Sequence, residues 1–445
     1  MPHADRLFVL DHTDLIDDLA ATDRLLIIQD LDGVCMGLVG DPLTRSIEPR
    51  YVEAAGQLDG QFYVLTNGEH IGSRGVNGII DKALEHPTRA QQHGLYLPGL
   101  AAGGVQFQDR HGRVSHPGVS ADELAFLSTV PARAVRFLAD LLASPPFALD
   151  ADDIDALVDV TVLDNIASPT VNINPLHQRF GAQPERYRQL QRALEAFMDS
   201  LLQEAEAVGL ADAFFVHYAP NQGRGPDARE LVRDGDDGNA GTTDFQFMIR
   251  GAVKETGVLV ILNHYYFQHT GHYPLGEAFN ARQAPRDHYA LLGLAKSSFD
   301  PAHMPRIVGV GDTVSSSAHT RDGQSLRLRG GSDRGFLTLV QALGETFGTG
   351  NIVAYVDSSG GEVRRPGLDA THLQRCAADP TLSPWPAVEG ITDAADPLRL
   401  NVVFCGGHAQ YVPFFCTLAA RRGAGRTDIA RPAPISGSRA RRDSA

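Results

Sequence analysis

The stretch that decides the fold is LLIIQDLDGVCMG, residues 25–37. Its apolar start is typical of a strand buried on both faces. Asp30 and Asp32 follow at the strand end, and Gly33 allows a sharp turn. Side chains two residues apart on a strand point to the same side, so the two carboxylates repel each other unless a cation or a shared proton intervenes. The pattern therefore indicates either a site for a hard cation such as Mg²⁺ or a solvated turn.

Two further apolar stretches also end in polar residues. QFYVLTNGEH, residues 61–70, places Thr66 and Asn67 at a strand end, and RIVGVGDTVSSS, residues 306–317, places Asp312 at another. Helical segments separate the strands, which predicts a parallel α/β sheet whose carboxyl edge binds ligands. A hydroxyl such as that of Thr66, followed by backbone N–H groups, suits a phosphate oxygen. Each ending alone is compatible with a turn, whereas the three together favour a cation and phosphate site.

The chain divides into four regions by its sequence pattern. Residues 1–80 carry the first two strand endings and form the first part of the core. Residues 81–285 mix long amphipathic helices with strand-like runs, among them GVLVILNHYYF (257–267), and predict an α+β insert that covers the sheet. Residues 286–420 resume the alternation of strands and helices. Residues 421–445 are rich in Arg, Ser, Pro and Gly and are predicted to be disordered.

Composition limits the classes of function. The chain has 445 residues, of which 43% are apolar and 21% charged, as in ordinary globular proteins. Its net charge of -15, from 54 acidic and 39 basic residues, argues against a nucleic-acid surface. Four cysteines without a CxxC pair and an N-terminus unlike a signal peptide favour the cytoplasm, and no apolar run reaches the roughly 20 residues of a membrane helix. The oligomeric state is not indicated.

The strand endings resemble a known superfamily. The residues Asp30-Leu31-Asp32-Gly33, Thr66-Asn67 and Gly311-Asp312 resemble the first, second and fourth motifs of the haloacid dehalogenase-like phosphatases. More specifically, QDLDGVCMGLVGDPLTR (29–45) and KSSFDPAHMPRIVGVGDTVSS (296–316) resemble the glucosylglycerol-phosphate phosphatases, which make a compatible solute, or osmolyte, for salt tolerance. The resemblance implies a Rossmannoid parallel sheet core with a large α+β cap inserted after the second motif.

The resemblance also implies a mechanism. Asp30 would be the nucleophile that forms an aspartyl-phosphate. Asp32 would protonate the leaving alkoxide and then take a proton from the hydrolytic water. Thr66 and Asn67 would bind the phosphoryl group, and Asp312 would hold Mg²⁺ together with an oxygen of Asp30 and the backbone carbonyl of Asp32. The implied reaction is the hydrolysis of glucosylglycerol 3-phosphate to glucosylglycerol and phosphate.

The family also requires a basic residue beside the phosphate. The chain has only three lysines, Lys82, Lys254 and Lys296. We predict Lys296, because it belongs to the helical segment just before the strand that ends at Asp312, although a solvated lysine at a helix end is the alternative. Lys254 is the second choice and a candidate for substrate binding from the insert, and Arg286 remains open.

The chain departs from the family pattern after Asp312. Many relatives carry another acid or an asparagine four residues later, where this chain has Ser316. Ser316 and Asp333 are candidates for the metal site or its surroundings. For Asp333 we favour the role of a helix N-cap.

Three histidines cluster in the predicted insert. His264, His269 and His272 lie in NHYYFQHTGHY, a spacing that is not typical of zinc sites. They are candidates for substrate binding through contact with the sugar, and the alternative is that they are ordinary core or surface residues. A catalytic pair of Cys405 and His408 is disfavoured, because no orienting partner is evident.

Other functions remain open from the sequence. Within the enzymes these are a phosphatase for another disaccharide-like phosphate, such as sucrose or trehalose phosphate, and a phosphomutase. From another class, a non-catalytic sugar-phosphate sensor would keep the fold without turnover. Asp30 and Asp32 argue against the sensor, whereas Ser316 leaves it open.

Overall fold

The computed structural model describes residues 3–72, 74–86, 88–226, 229–236, 238–321 and 324–426. Strands in this part of the chain are β1 (Leu25–Gln29), β2 (Phe62–Leu65), β3 (Gly99–Ala101), β4 (Gln106–Gln108), β5 (Val114–Ser115), β6 (Val162–Leu163), β7 (Thr170–Asn172), β8 (Phe214–Ala219), β9 (Asn221–Arg224), β10 (Glu230–Val232), β11 (Asp244–Ile249), β12 (Arg306–Gly311), β13 (Ser315–Arg321), β14 (Gln324–Gly330), β15 (Ile352–Val356) and β16 (Val402–Phe404).

The same part of the chain contains the α-helices α1 (His12–Ala20), α2 (Pro49–Gln57), α3 (Val76–Leu84), α4 (Arg89–His93), α5 (Ala121–Ala143), α6 (Ala151–Thr161), α7 (Asn174–Phe180), α8 (Pro184–Ala207), α9 (Lys254–Thr270), α10 (His288–Ser298), α11 (Arg334–Phe347), α12 (Ala370–Ala378) and α13 (His408–Arg426). Within the described residues, no helix is both long enough and apolar enough to cross a membrane.

The central sheet has the strand order β16-β15-β12-β1-β2-β3-β4-β5. The strands from β16 to β3 run parallel, and β4 and β5 complete the sheet in antiparallel pairing. All five residues of β1 are buried, as expected for a parallel strand covered by helices on both faces. The predicted parallel sheet and its strands at residues 25–29, 62–65 and 306–311 are confirmed. The carboxyl ends of β1, β2 and β12 therefore meet at one edge.

Each face of the central sheet carries its own hydrophobic cluster. Ile27 and Val64 pack on one face with residues of α1, α2 and α13. Ile28 and Leu65 pack on the other with residues of α9, α10 and α11. Because successive side chains of a strand point to opposite faces, neighbouring residues of β1 belong to different clusters. Burying an aliphatic side chain of this size contributes about 1.5–3 kcal/mol, so these clusters hold the strand ends in place.

A second sheet, the insert sheet, stands over the carboxyl edge of the central sheet. It has the antiparallel order β6-β7-β11-β8 and packs against α5 to α8 around a third hydrophobic cluster. Helix α5 begins with a capping box in which Ser120 and Glu123 exchange hydrogen bonds. The predicted α+β insert after the second strand ending is confirmed, as are its two long helices.

The boundaries predicted for the insert, residues 81–285, are wrong at both ends. Strands β3 to β5 extend the central sheet, and α9 packs against that sheet in the second cluster. The stretch 257–267, interpreted above as strand-like, lies inside α9. A helix that is apolar on all sides has no amphipathic period, so a short apolar run does not distinguish it from a buried strand.

The predicted disordered tail is also wrong over its first residues. Helix α13 continues to Arg426, and Arg422 is buried, donating hydrogen bonds to the backbone carbonyls of Leu19 and Thr22, both at 2.7 Å. The remainder of the predicted tail, residues 427–445, lies outside the described residues.

Candidate active site

A pocket lies between the carboxyl edge of the central sheet and the insert sheet. From the core it is lined by twelve polar residues, namely Asp30, Asp32, Arg45, Thr66, Asn67, Glu69, Arg74, Lys254, Asp312, Thr313, Ser332 and Arg365. From the insert it is lined by six, namely Asn165, Thr170, Asn172, Asn174, Asp244 and Gln246. The structure thus brings together the five residues that the three strand endings contributed to the predicted site.

Three buried carboxylates lie together on the core side of the pocket, where Asp30 and Asp312 line it and Asp333 lies behind them. One oxygen from each of Asp30, Asp312 and Asp333 lies within 4.8 Å of the other two. Burial raises the pKa of Asp30 well above its usual range, although Lys254 opposes the rise. Burial also raises the pKa of Asp312, to about 6. Carboxylates this close together and this deeply buried require positive charge to remain ionised.

Lys254 supplies part of that charge. Its Nζ lies 2.6 Å from Asp30 Oδ2 and 2.7 Å from Asp333 Oδ1, and its side chain is only 2% exposed. Burial would lower the pKa of Lys254, but the two carboxylates outweigh burial and raise it. As the first residue of α9, Lys254 is held at the pocket by a helix that is itself packed in the core.

This arrangement corrects the choice of the basic residue. Lys296, predicted to contact the phosphate, lies exposed in the last turn of α10 and is not among the residues that line the pocket. Arg286 is likewise absent from the lining. The sequence signal for Lys254 was present but not used: a lysine stands directly before a long apolar run, at the start of a segment that must be buried.

Asp333 has a different function from the predicted N-cap. It occupies the N-cap position of α11, but its side chain makes no capping hydrogen bond. Its Oδ2 instead accepts from the backbone N–H groups of Asp312 at 2.9 Å and Thr313 at 3.0 Å. Burial would raise the pKa of Asp333, but Lys254 and these N–H groups lower it. Gly311 permits the approach, because a Cβ there would lie 2.7 Å from Asp333 Oδ2. Asp333 is thus an ionised partner of Lys254.

Ser316 does not take part in this cluster. It lies on β13, where its Oγ donates to Asp393 Oδ2 at 2.5 Å, and it does not line the pocket. Asp393 in turn accepts from Arg329. The proposed role of Ser316 in or around a metal site is therefore not supported, because its hydroxyl is directed to a separate ion-pair network.

Two arginines that the sequence analysis did not identify accompany the aspartates. Arg45 Nη1 lies 3.1 Å from Asp32 Oδ2. Arg365 Nη1 donates to Asp312 Oδ2 at 3.1 Å and to Thr313 Oγ1 at 2.9 Å. Arg45 belongs to the stretch 29–45 that carried the family resemblance, whereas no local pattern pointed to Arg365.

Gly33 is required by both conformation and space. Its φ is +80°, a region that side chains rarely adopt, and a Cβ there would lie 2.0 Å from Asp312 Oδ2. Because Gly33 has no side chain, the carboxylate of Asp312 has space to enter the site.

The donor set fits a magnesium ion. Asp30 and Asp312 offer hard carboxylate oxygens on neighbouring strand ends, the ligand type that Mg²⁺ prefers. The oxygens of Asp333 are engaged by Lys254 and two backbone N–H groups, so Asp333 orients the site. The three carboxylates carry one more charge than the two cations beside them, Lys254 and Arg365, which favours the binding of a further cation.

The second strand ending also fastens the insert to the core. Asn67 Nδ2 lies 3.0 Å from His217 Nε2 of the insert. The buried Glu69 accepts hydrogen bonds from three successive backbone N–H groups of the insert, those of residues 166–168, at 2.6–2.9 Å. Thr66 Oγ1 accepts from the N–H of Gly68 at 3.2 Å, which orients its hydroxyl beside the pocket. Glu69 was missed in the sequence, where it is an ordinary acidic loop residue.

The three histidines lie away from the pocket, so their predicted substrate contact is wrong. His264 stacks on Phe107 with ring centroids 4.8 Å apart, His269 stacks on Tyr265, and His272 is exposed beyond the end of α9. None lines the pocket. At a rise of 1.5 Å per residue, His264 lies about 15 Å along α9 from Lys254, because the segment is a helix that leads away from the site.

The insert wall contains an acidic residue whose ionisation should cost stability. Burial raises the pKa of Asp244 to about 6. Because this value exceeds the usual value near 3.9, the contribution of Asp244 to stability is present below about pH 4 and is lost as the pH rises through 6. The loss amounts to up to about 3 kcal/mol. We expect Asp244→Asn to unfold at higher urea concentration than the unmodified protein at pH 7, with the advantage shrinking towards pH 4. A difference that does not vary with pH would contradict this assignment.

Comparisons with known proteins match nearly the whole chain. A family model described as glucosylglycerol-phosphate phosphatase matches residues 24–419. The glucosylglycerol-phosphate phosphatase of Synechocystis sp. is 50% identical over 415 residues, which cover 93% of this chain and 97% of the relative. The match includes both parts of the core, the insert and all the pocket residues named above.

Among solved structures, similarity in fold is found to two fungal proteins. The C-terminal domain of trehalose-6-phosphate phosphatase from Candida albicans is 9% identical with a TM-score of 0.46 and covers 93% of this chain and 99% of its own. The trehalose-6-phosphate phosphatase of Aspergillus fumigatus is 10% identical with a TM-score of 0.38 over the same shares.

Proposed function

The chain belongs to the glucosylglycerol-phosphate phosphatase family, and from this premise we propose that it hydrolyses glucosylglycerol 3-phosphate to glucosylglycerol and phosphate with the help of Mg²⁺. The resemblance stated for residues 29–45 and 296–316 is thereby confirmed at the level of the family. The enzyme is a phosphoric monoester hydrolase of haloacid dehalogenase-like fold. The observation that carries the proposal is the buried Asp30 between Lys254 and Asp312, opposite a polar wall of the insert.

The fixed orientation of Asp30 supports its role as the nucleophile that attacks phosphorus. Its Oδ1 accepts the N–H of Leu31 at 2.8 Å and its Oδ2 contacts Lys254, so the carboxylate is held in one orientation. Attack forms the bond between Asp30 and phosphorus while the ester P–O bond breaks, and the leaving alkoxide takes a proton from Asp32. In the second step Asp32 removes a proton from a water that attacks the aspartyl-phosphate, which releases phosphate and restores Asp30.

The negative charge of the phosphoryl group would be stabilised by groups that are already in place before the reaction begins. Lys254 is buried and charged, and Thr66 and Asn67 line the same pocket. Asp30, Asp312 and the backbone carbonyl of Asp32 would hold Mg²⁺, which supplies further charge for the phosphoryl oxygens. The insert sheet forms the opposite wall of the pocket, so a bound substrate would displace water from between this wall and the reacting atoms.

The proposal is tested by phosphate release from a panel of sugar phosphates. The purified protein with Mg²⁺ receives glucosylglycerol 3-phosphate, sucrose phosphate and trehalose phosphate, each with and without EDTA. We expect the highest kcat/KM for glucosylglycerol 3-phosphate and the loss of activity in EDTA, restored by added Mg²⁺.

Two outcomes would contradict the proposal in different ways. Equal or faster hydrolysis of sucrose or trehalose phosphate would overturn the assigned substrate but keep the phosphatase. Full activity in EDTA would overturn the role of the metal. The cytoplasmic location, favoured by the composition and the four free cysteines, remains a prediction.

A further inference from the structure

Strands β7 and β11 of the insert sheet present a patterned surface to the pocket. In their register Asp244 pairs with Asn172, Phe245 with Val171 and Gln246 with Thr170. The polar pairs line the pocket, whereas Phe245 and Val171 are buried in the hydrophobic cluster of the insert. This alternation is the period of two expected for strands with one apolar and one polar face. The four polar side chains therefore share one face, directed towards the carboxylates of the core.

Gln246 is the unusual member of this face. It is only 7% exposed, and its Oε1 is buried without a hydrogen-bond donor among the described residues. The nearest donors on the same face bond to other acceptors: Asn172 Nδ2 donates to Asp244 Oδ1 at 2.7 Å, and the Thr170 hydroxyl donates to the carbonyl of Ser168 at 2.7 Å. A buried polar atom without a partner costs about 1–3 kcal/mol, so its retention calls for a partner from outside the chain.

The charges around the pocket indicate the chemistry of that partner. The cations that line it, Arg45, Arg74, Lys254 and Arg365, all belong to the core and none to β7 or β11. Three of them stand beside the strand-end aspartates: Arg45 beside Asp32, Lys254 beside Asp30 and Arg365 beside Asp312. The surface formed by β7 and β11 contributes amide and hydroxyl groups and the carboxylate of Asp244. Such a surface accepts and donates hydrogen bonds to a neutral polyol, and Asp244 disfavours a second phosphate there.

We propose that Gln246, with Asn172, Thr170 and Asp244, forms the subsite that binds the hydroxyl groups of the substrate, and that the Gln246 amide turns on binding so that its Oε1 accepts a hydrogen bond from one of them. This proposal rests on the proposed function. It adds that four residues of the insert discriminate between different phosphate esters. A site built to pair with a hydroxyl rejects an ester that lacks it, since its own polar group then remains unpaired.

The test replaces Gln246 by a residue of similar shape without the carbonyl. For Gln246→Met we measure kcat/KM with glucosylglycerol 3-phosphate and with p-nitrophenyl phosphate, which has no sugar hydroxyl. We expect the loss with the sugar phosphate to exceed the loss with p-nitrophenyl phosphate by at least about tenfold, the size of one lost hydrogen bond in a buried site. Gln92→Met, an exposed glutamine on α4, is the matched control and should leave the ratio between the two substrates unchanged.

A structural function for Gln246 makes a different prediction. If its carbonyl lacks a partner in the free protein, Gln246→Met should melt at the same temperature as the unmodified protein or higher, because an unsatisfied group has been removed. A lower melting temperature together with equal losses on both substrates would overturn the subsite. Should Gln246→Met fail to fold, Thr170→Val provides the second variant, with the same expected shift in the ratio between substrates.

The inference and the proposed function fail in distinguishable ways. If the unmodified protein does not hydrolyse glucosylglycerol 3-phosphate, the proposed function fails whatever the variants show. If it does, and if neither Gln246→Met nor Thr170→Val changes the ratio of kcat/KM between the two substrates, the subsite alone is wrong.

Discussion

Asp30→Asn should abolish the release of phosphate from glucosylglycerol 3-phosphate while the protein stays folded. The amide keeps the shape of the carboxylate but cannot attack phosphorus, and removal of a catalytic nucleophile lowers kcat by roughly 10⁴- to 10⁶-fold. Because burial raises the pKa of Asp30 well above its usual range, loss of the charge should not lower the melting temperature. Both quantities are measured on the same preparation, by phosphate assay and by circular dichroism.

The matched control is Asp23→Asn, an exposed aspartate just before β1, which should leave turnover unchanged. A second readout follows the covalent step directly. Protein quenched in acid during turnover should carry a phosphoryl group on Asp30, detectable by mass spectrometry after digestion. Normal activity of Asp30→Asn, or a phosphoryl group on another residue, would show that the nucleophile is assigned wrongly.

Lys254→Met should impair both activity and stability. We expect kcat/KM to fall by at least about 10³-fold, the range for loss of an electrostatic stabiliser of the transition state. We also expect the free energy of unfolding to fall by about 3–5 kcal/mol, because Asp30 and Asp333 are left buried without their common partner. Urea unfolding and phosphate release measure the two effects.

Lys296→Met is the matched control for this prediction. Lys296 is exposed on α10, so its replacement should change kcat/KM by less than twofold and the stability by less than about 0.5 kcal/mol. In the double variant Lys254→Met/Asp333→Asn one of the unpaired carboxylates is removed, so part of the stability should return while activity does not. The reverse result, an inactive Lys296→Met and an active Lys254→Met, would restore the original choice of lysine.

The strand endings could be read from the sequence because their signals are local. An apolar run followed by polar residues marks the end of a buried parallel strand, and parallel strands meet at one edge. Asp30, Thr66 and Asp312 were therefore placed together correctly before any distance was known. The strand-like runs and long amphipathic helices predicted within residues 81–285 are also present, as β8, β11, α5 and α8.

Helix α9 could not be predicted from the sequence pattern. Its apolar residues surround the axis, so the sequence shows no period that would distinguish a helix from a strand. This misassignment had two consequences. With residues 257–267 interpreted as a strand of the insert, Lys254 was assigned to the insert and not to the core. The three histidines were likewise expected to contact the substrate. One misassigned element thus accounts for the wrong lysine, the wrong histidines and one wrong boundary of the insert.

The sequence by itself determined the sheet, the meeting of the candidate aspartates at one edge and the family, because these depend on short patterns along the chain. The tertiary structure alone decided which cation stands beside Asp30 and what the insert presents to the substrate. Lys254 meets Asp333 from 79 positions away along the chain, and Gln246 is directed at the pocket only because β7 and β11 pair in one register. Contacts of this kind depend on how separate elements pack against one another. The burial of apolar surface determines that packing, and a short stretch of sequence does not predict it.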